Sequence, residues 1–287
     1  RQQEQHRYEV APRFAHEIRG SVVGLWGYGG IGRETALAFA REGAELVVSD
    51  IDEAGLKETV GLLTSRGATV HSYVLDVADA PAVERFADAV CAAHGTPDIV
   101  VNNAGIGHAG TFLDTPAEQF DRVLDVNLGG VVNGCRSFAG RMVQRGAGGH
   151  VVNVASMAAY TPSQAMNAYC TSKAAVYMFS DCLRAELDEA GIGLTTICPG
   201  VIDTNIVHTT TFDVSADNAA KTAGRRQQLE KMFSKRNYTP DKVAKAIVAS
   251  VKNGKAVRPV TPEAYLAYGA SRFAPQVLRS TARAKLF

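Results

Sequence analysis

The chain has 287 residues, of which 46% are hydrophobic and 21% charged, and its formal net charge is +1 at pH 7. This length and composition predict one large domain with a substantial buried core. A net charge this close to zero argues against a general nucleic-acid-binding protein, and no apolar run is long enough to span a bilayer.

Residues 1–20 are polar and lack the hydrophobic core of a signal peptide, so we expect an extension ahead of the domain. The chain begins with Arg1 instead of Met, which suggests a processed chain or a piece of a longer one. Its cysteines are odd in number and lack metal-ligand spacing, which favours reduced thiols in the cytoplasm and no bound metal. They are Cys91, Cys135, Cys170, Cys182 and Cys198.

Short apolar runs alternate with helical segments as far as about residue 200. Each run is rich in Val, Ile or Leu, as in strands buried on both faces of a parallel sheet. The runs are Ser21–Trp26, Glu45–Ser49, Thr69–Leu75, Asp98–Val101, His150–Ala155 and Gly193–Cys198. Repeated β-α units predict an α/β fold with a doubly wound parallel sheet (Rossmann-like), in which ligands bind beyond the carboxyl ends of the strands.

Three Thr-Pro pairs indicate helix starts. Thr115-Pro116-Ala117-Glu118 fits a capping box with proline at the first helical position. Thr239-Pro240-Asp241 and Thr261-Pro262-Glu263 are expected to begin two later helices in a similar way.

The first predicted strand leads into a glycine-rich turn and then a helix. Glycines at such a position allow a tight turn and let backbone amides meet a pyrophosphate at the helix N-terminus. We therefore expect dinucleotide contacts from Gly27, Gly29, Gly30, Ile31 and Gly32.

Acidic residues end the second and third predicted strands. Asp50 can accept hydrogen bonds from adenosine ribose hydroxyls and would repel a 2′-phosphate, which predicts NAD over NADP. It could instead cap the next helix, although Asp52 fits that role better. Asp76, followed by Val77, could reach the adenine edge or could be another helix cap.

A polar constellation follows further along the chain. Tyr169 and Lys173 stand at i and i+4, hence on one face of a helix. Ser156 lies just past a Val-rich strand, Asn102-Asn103-Ala104-Gly105 follows another strand, and Asn127 lies inside the next helix.

These residues together resemble the short-chain dehydrogenase/reductase family, from Ser21 to about Pro259. The Asn-Asn-Ala-Gly run at 102–105, the Ser-Tyr-Lys spacing and Pro199-Gly200 after the sixth strand all match the family pattern. The chain is also similar to actinobacterial members, some of which form the C-terminal half of fusions with an α/β-hydrolase domain. Such a fusion would account for the missing Met.

The resemblance implies NAD-dependent hydride transfer between a nicotinamide and a secondary alcohol or ketone. Tyr169 would be the general acid/base, and Lys173 would lower its pKa and hydrogen-bond the nicotinamide ribose. Ser156 would donate to the reacting oxygen, and Asn127 would hold a water that relays protons to Lys173. Further cofactor contacts are expected from Asp76, Val77, Asn103, Ala104, Gly105, Pro199, Gly200 and Thr204.

One departure from the family pattern leaves two possibilities open. Leu25-Trp26 stands where the family has Thr-Gly, and an indole there should clash with the cofactor or change the turn. The loop either uses the register Gly27-x-Gly29-x-x-Gly32 and binds NAD, or it binds poorly. The same replacement motivates a rival hypothesis, a non-catalytic dinucleotide-binding sensor or scaffold domain.

The remaining segments are assigned by composition. A catalytic domain is expected over residues 21–260, and within it the threonine-rich and then basic residues 201–238 are either a substrate lid or a solvated surface segment. Residues 261–287 form a basic helical tail, expected to pack on its own subunit in preference to a membrane surface. The lid and the Ala158-Ala159-Tyr160 loop suggest a hydrophobic substrate, and the resemblance implies a homodimer or homotetramer.

Overall fold

The computed structural model describes residues 18–203, 210–212 and 238–282. Its main strands are β1 Val22–Trp26, β2 Glu45–Asp50, β3 Val70–Val74, β4 Ile99–Asn102, β6 Gly149–Val154, β7 Ile192–Cys198 and β9 Val257–Pro259. They form one parallel sheet in the order β3-β2-β1-β4-β6-β7-β9. Two short strands, β5 His108–Ala109 and β8 Thr211–Phe212, pair with each other outside it.

Helices cover both faces of this sheet, as a doubly wound fold requires. They are α1 Gly30–Arg41, α2 Glu53–Thr64, α3 Ala80–His94, α4 Ala117–Leu124, α5 Gly130–Arg145, α6 Asn167–Glu189, α7 Pro240–Asn253, α8 Pro262–Phe273 and α9 Pro275–Thr281. Apolar residues of α1, α2 and α7 form the core on one face, and those of α3, α5 and α6 form it on the other. Among the described helices, none combines the length and the apolar character needed to cross a bilayer.

The six predicted strands are all present, with ends that differ by at most one residue. The seventh, β9, was not predicted. Helices begin at Pro240 and Pro262 as expected, and the Thr261 hydroxyl accepts a hydrogen bond from the Ala264 amide.

The capping box expected at Thr115 is wrong. The Thr115 hydroxyl donates to the Thr111 carbonyl oxygen at 2.7 Å, so it does not cap the following turn. Helix α4 starts at Ala117 after Pro116 without a side-chain cap. A threonine hydroxyl bonded backward in this way competes with the capping geometry.

The structure corrects the expectation that Trp26 would disturb the cofactor turn. The Trp26 side chain is 3% exposed and points into the core, where its ring lies 4.9 Å from the rings of both Phe86 and Phe138. Gly24 lies two residues earlier and therefore on the same face of β1. A Cβ on Gly24 would lie 2.5 Å from the indole, so the missing side chain at 24 makes room for the large one at 26.

We expect Gly24→Ala to destabilise the protein by about 1–3 kcal/mol, because the added methyl overpacks the indole. In a Trp26→Ala background the same methyl should cost much less, which urea unfolding of all four proteins measures as a coupling energy. Gly61→Ala, at an exposed position of helix α2 where a Cβ meets no described atom within 4 Å, is the control and should be neutral or stabilising. Equal effects of Gly24→Ala in both backgrounds would contradict this packing.

Candidate functional site

The turn after β1 is packed against the loop after β4. Gly27 has a φ of +93°, and a Cβ there would lie 2.3 Å from the Cα and amide nitrogen of Ala104. A Cβ on Gly32 would lie 2.2 Å from the Gly27 carbonyl oxygen. Both positions therefore require glycine for steric reasons.

The amino end of α1 is the open part of the same turn. Gly29 precedes the helix, and Gly30 and Ile31 form its first residues. A Cβ on Gly29 would meet no described atom within 4 Å, which leaves room for a ligand next to the backbone. Gly27, Gly29 and Gly32 thus match the three glycines of the dinucleotide fingerprint. The first allows the tight turn, the second leaves the backbone open to a ligand, and the third allows close packing of the helix.

The loop after β4 ties the turn to the rest of the site. The Asn103 side-chain amide donates to the Gly27 carbonyl oxygen at 2.8 Å, and the Asn103 and Ala104 amides donate to the Trp26 carbonyl oxygen. A Cβ on Gly105 would lie 3.1 Å from Asn127 Oδ1 and 3.3 Å from Lys173 Nζ. The loop therefore connects the glycine turn with the polar constellation.

Asp50 faces the glycine turn and does not cap a helix. Its carboxylate accepts hydrogen bonds from the Tyr28 amide and, at 2.9 Å, from the Asp52 amide. The cap of α2 is Asp52, whose side chain accepts from the Ala54 amide. Asp50 is thus a half-buried carboxylate at the carboxyl end of β2.

Asp76 and Val77 follow β3. The Asp76 carboxylate accepts from the Ala78 amide at 2.9 Å and lies 3.2 Å from Arg122 Nη2. The suggestion that Asp76 caps a helix is wrong, because Asp79 is the residue that caps α3.

Ser156 and Tyr169 meet beyond the carboxyl end of β6. Ser156 begins the short turn Met157–Ala159, where its hydroxyl accepts from the Ala158 amide at 3.1 Å. The Ser156 side chain also lies close enough to the phenol of Tyr169, near the start of α6, to lower the pKa of that phenol. The two hydroxyls are therefore close enough to act on the same ligand atom.

Lys173 lies one helical turn beyond Tyr169. Its Nζ is 5.9 Å from the centre of the Tyr169 ring and donates to the Val154 carbonyl oxygen at 3.0 Å. Lys173 is 4% exposed, and this burial lowers its pKa to about 8. Three of the predicted residues, Ser156, Tyr169 and Lys173, thus share one environment.

The pKa of Tyr169 differs from the sequence-based expectation. Burial raises it, and the nearby Ser156 side chain opposes that rise. The lysine charge is expected to lower the phenol pKa, but in this structure burial is the largest influence and raises it.

Asn127 is fully buried. It lies in a π-helical turn, Asp125–Gly129, between α4 and α5. Its Oδ1 accepts from the Ile106 amide at 2.8 Å, and its Nδ2 donates to the Ile106 carbonyl oxygen and to Ser172 Oγ. The side chain therefore joins the β4 loop to α6 beside Lys173.

The last predicted contacts lie after β7. The Pro199 carbonyl oxygen accepts from the Met157 amide at 2.8 Å, which ties this loop to the serine turn. A Cβ on Gly200 would lie 2.1 Å from Thr261 Oγ1, so glycine is needed there for packing against the start of α8. Thr204 and most of the expected lid lie outside the described residues.

Sequence reasoning missed a buried polar chain beneath the site. Asn102 Nδ2 donates to Asn153 Oδ1 at 2.8 Å, and Asn153 Nδ2 donates to Ser180 Oγ at 2.9 Å. This chain joins β4, β6 and α6. The available signal was an asparagine at the end of one apolar strand and next to the end of another.

Comparison with known proteins agrees with this geometry. The family model described as short chain dehydrogenase matches residues 22–214. The probable oxidoreductase EphD of Mycobacterium tuberculosis is 68% identical over 267 residues, which cover 93% of this chain and 45% of EphD. The chain thus spans about half the length of that relative.

Two further comparisons cover most of both proteins. The putative oxidoreductase SadH of Mycobacterium tuberculosis is 37% identical over 245 residues, covering 83% of this chain and 85% of SadH. A short chain dehydrogenase/reductase from Burkholderia phymatum, crystallised in complex with NAD, superposes with a TM-score of 0.83 at 27% identity, covering 93% of this chain and 96% of that one. The family match, the relatives and the shared fold establish that this chain belongs to the short-chain dehydrogenase/reductase family.

Proposed function

We propose that the chain is an NAD-dependent oxidoreductase that interconverts a secondary alcohol and a ketone. The observation that carries the proposal is the meeting of Ser156, Tyr169 and Lys173 beside the loop that packs on the glycine turn. The oxidoreductase names of its relatives and the NAD bound to the Burkholderia phymatum structure support it.

The residues at the carboxyl edge of the sheet fit a nicotinamide dinucleotide. The open backbone at Gly29 and the amino end of α1, whose first turn contains no acidic residue, suit a pyrophosphate. Asp50 suits the adenosine ribose, and Asp76 with Val77 suits the adenine. When bound, the dinucleotide supplies or accepts the hydride.

The nicotinamide half belongs on the other side of the glycine turn. Asn103, Ala104 and Gly105 lead from that turn to Lys173, which we assign to the nicotinamide ribose. Pro199 and Gly200 lie beside the serine turn, and we keep Thr204 as a further expected contact.

The chain's own residues then handle the proton. In ketone reduction Tyr169 Oη gives its proton to the carbonyl oxygen, and in alcohol oxidation it takes the proton back. Ser156 Oγ donates a hydrogen bond to the same oxygen, where negative charge develops. The Lys173 ammonium stabilises the phenolate form of Tyr169, and Asn127 holds the loop that keeps these groups in place.

The rival hypothesis, a non-catalytic sensor or scaffold, was motivated by Trp26. Because the indole packs into the core between Phe86 and Phe138, it does not obstruct the crevice at the end of β1. No other feature of the described residues favours that hypothesis over the enzyme.

We expect Tyr169→Phe to lower turnover of a ketone substrate by about 10²–10⁴-fold, because it removes the proton donor and leaves the fold intact. Tyr177→Phe is the matched control, since it removes a hydroxyl from the same helix that contacts Arg272. Steady-state oxidation of NADH with a panel of ketones measures both. Turnover in Tyr169→Phe equal to that of the control would rule out the assigned role.

We expect Asp50→Ser to reduce the preference for NAD over NADP by at least about tenfold, because a like charge no longer opposes the 2′-phosphate. Asp52→Ser removes a neighbouring carboxylate while serine still caps α2, so it should keep the preference. The ratio of kcat/KM for the two cofactors is the measurement. An unchanged ratio in Asp50→Ser would refute the assignment.

We expect Lys173→Met to be more stable than the wild type at pH 7, because a buried ammonium gives way to an apolar side chain. The folded-state pKa is about 8 against an ordinary value of 10.5, so the wild type gains stability as the pH rises between these values. The advantage of methionine should therefore shrink by about 3 kcal/mol from pH 7 to pH 10.5. Urea unfolding across this range tests it, and a constant difference would show that the lysine does not titrate there.

The wider proposal includes a homodimer or homotetramer that acts on a small, hydrophobic alcohol or ketone. Helices α5 and α6 border a surface groove lined by Cys135, Ala139, Phe179 and Leu183, and Val143 beside it is exposed. Such a groove suits a second copy of the chain.

The expected domain layout also stays a proposal: an extension over residues 1–20, a catalytic domain over 21–260 with a lid at 201–238, and a tail over 261–287. In the described part of the tail, Arg272 donates to the Tyr177 hydroxyl and the Ala282 carbonyl oxygen accepts from the Gln164 amide. These contacts support packing on its own subunit, although Phe273 is exposed. We also propose a cytoplasmic location, because the five cysteines form no disulfide.

A further inference from the structure

A cluster of metal-ligating side chains lies at the other end of the sheet. Glu45 begins β2, His71 lies near the start of β3, and His94 is the last residue of α3. The β2–β3 register pairs Val47 with His71, so Glu45 and His71 share the face that α3 covers. Glu45 and Asp50 are separated by five residues of strand, about 16 Å, which places the cluster far from the dinucleotide crevice.

The ligand atoms of the cluster converge. Glu45 Oε1 lies 3.1 Å from His71 Nε2 and 3.3 Å from His94 Nδ1. All three lie within 4.8 Å of one another, and the two imidazole rings are 4.0 Å apart. A tetrahedral zinc ion with bonds of about 2.0–2.1 Å separates its ligand atoms by about 3.3 Å. The two carboxylate–imidazole distances already have that size.

The surroundings favour a cation and fix one of the ligands. The cluster lies at the carboxyl end of α3, where the helix dipole is negative, and Glu45 adds a carboxylate. Tyr73 Oη lies 3.1 Å from His94 Nε2, so its hydroxyl holds the ring with Nδ1 toward the cluster. Partners of this kind outside the ligand shell are a general feature of metal-binding histidines.

The exposure of the three side chains suits reversible access from solvent. Glu45 and His71 are 35% and 37% exposed, whereas His94 is 11% exposed and anchored by Tyr73. Two imidazoles and one carboxylate are a donor set that zinc binds readily, with a fourth position left for water.

We propose that Glu45, His71 and His94 form a binding site for a divalent transition metal, zinc being the best match, which clamps β2, β3 and α3 together. The alternative is a plain hydrogen-bonded cluster, in which both neutral histidines donate to the same carboxylate oxygen. The two differ in whether the chain takes up one metal ion at this place.

The test uses Co²⁺ as a spectroscopic probe on the full chain after treatment with a chelator. We expect one Co²⁺ per chain with the intense visible absorption of a tetrahedral site, displaced by Zn²⁺. His71→Ala and His94→Ala should each weaken binding by at least about tenfold, and Glu45→Gln, which keeps the side-chain shape, should do the same. Tyr73→Phe retains all three ligands and should weaken binding by about tenfold.

The control variant replaces His6, His16 and His208, three histidines in parts of the chain outside the described residues, and should bind Co²⁺ as the wild type does. Zinc should also raise the unfolding temperature of the wild type and of this control, but not that of Glu45→Gln. Absence of saturable one-to-one binding, an octahedral spectrum, or equal binding by the wild type and the ligand variants would overturn the proposal.

Discussion

The close contact between the turn after β1 and the loop after β4 is the constraint on which the site depends. Gly27 leaves no room for a side chain against Ala104, and Asn103 bonds to the carbonyl of that same glycine. These two strands are neighbours where the strand order reverses. A crevice forms at such a point because the adjoining helices lie on opposite faces of the sheet.

From this contact, a series of packed residues leads through the β4 loop to helix α6. Gly105 brings the β4 loop against Asn127 and Lys173, and Asn127 in turn bonds to Ser172 on the helix that carries the tyrosine. π-Helical turns are often found at functional sites, and here such a turn contains Asn127. Hydrogen bonds to backbone groups of several elements thus hold these polar side chains in place.

The same arrangement carries an energetic cost. A buried ammonium and a half-buried phenol lie beside each other, and burial shifts the pKa of each toward its neutral form. Groups of this kind are retained where chemistry needs them, because an apolar core would fold more stably without them. These costs support the proposal that the described site is a functional centre.

Sequence reasoning predicted the parts of the molecule that depend on local pattern. The six strands were found because each lies in a run rich in Val, Ile or Leu, while β9 is three residues long and contains Arg258. The convergence of Ser156, Tyr169 and Lys173 was predicted from the family resemblance. The place of Trp26 could not be predicted, since it depends on Phe86 and Phe138 from two other helices.

The Glu45–His71–His94 cluster was missed for a similar reason, because its members come from three separate elements and have no motif spacing. The prediction of a capping box at Thr115 failed because the threonine hydroxyl bonds to the preceding Thr111 carbonyl oxygen and not to the following turn. Long-range packing and local competition for hydrogen bonds are the two effects that the pattern of residues does not encode.

The burial of Trp26 has an optical consequence. It is the sole tryptophan of the chain, and its indole is enclosed by two phenylalanines in the layer between the sheet and helices α3 and α5. Its emission is therefore a single-site reporter with a blue-shifted maximum, free of overlapping signals from other indoles. A red shift of this emission during denaturation shows when solvent enters that layer.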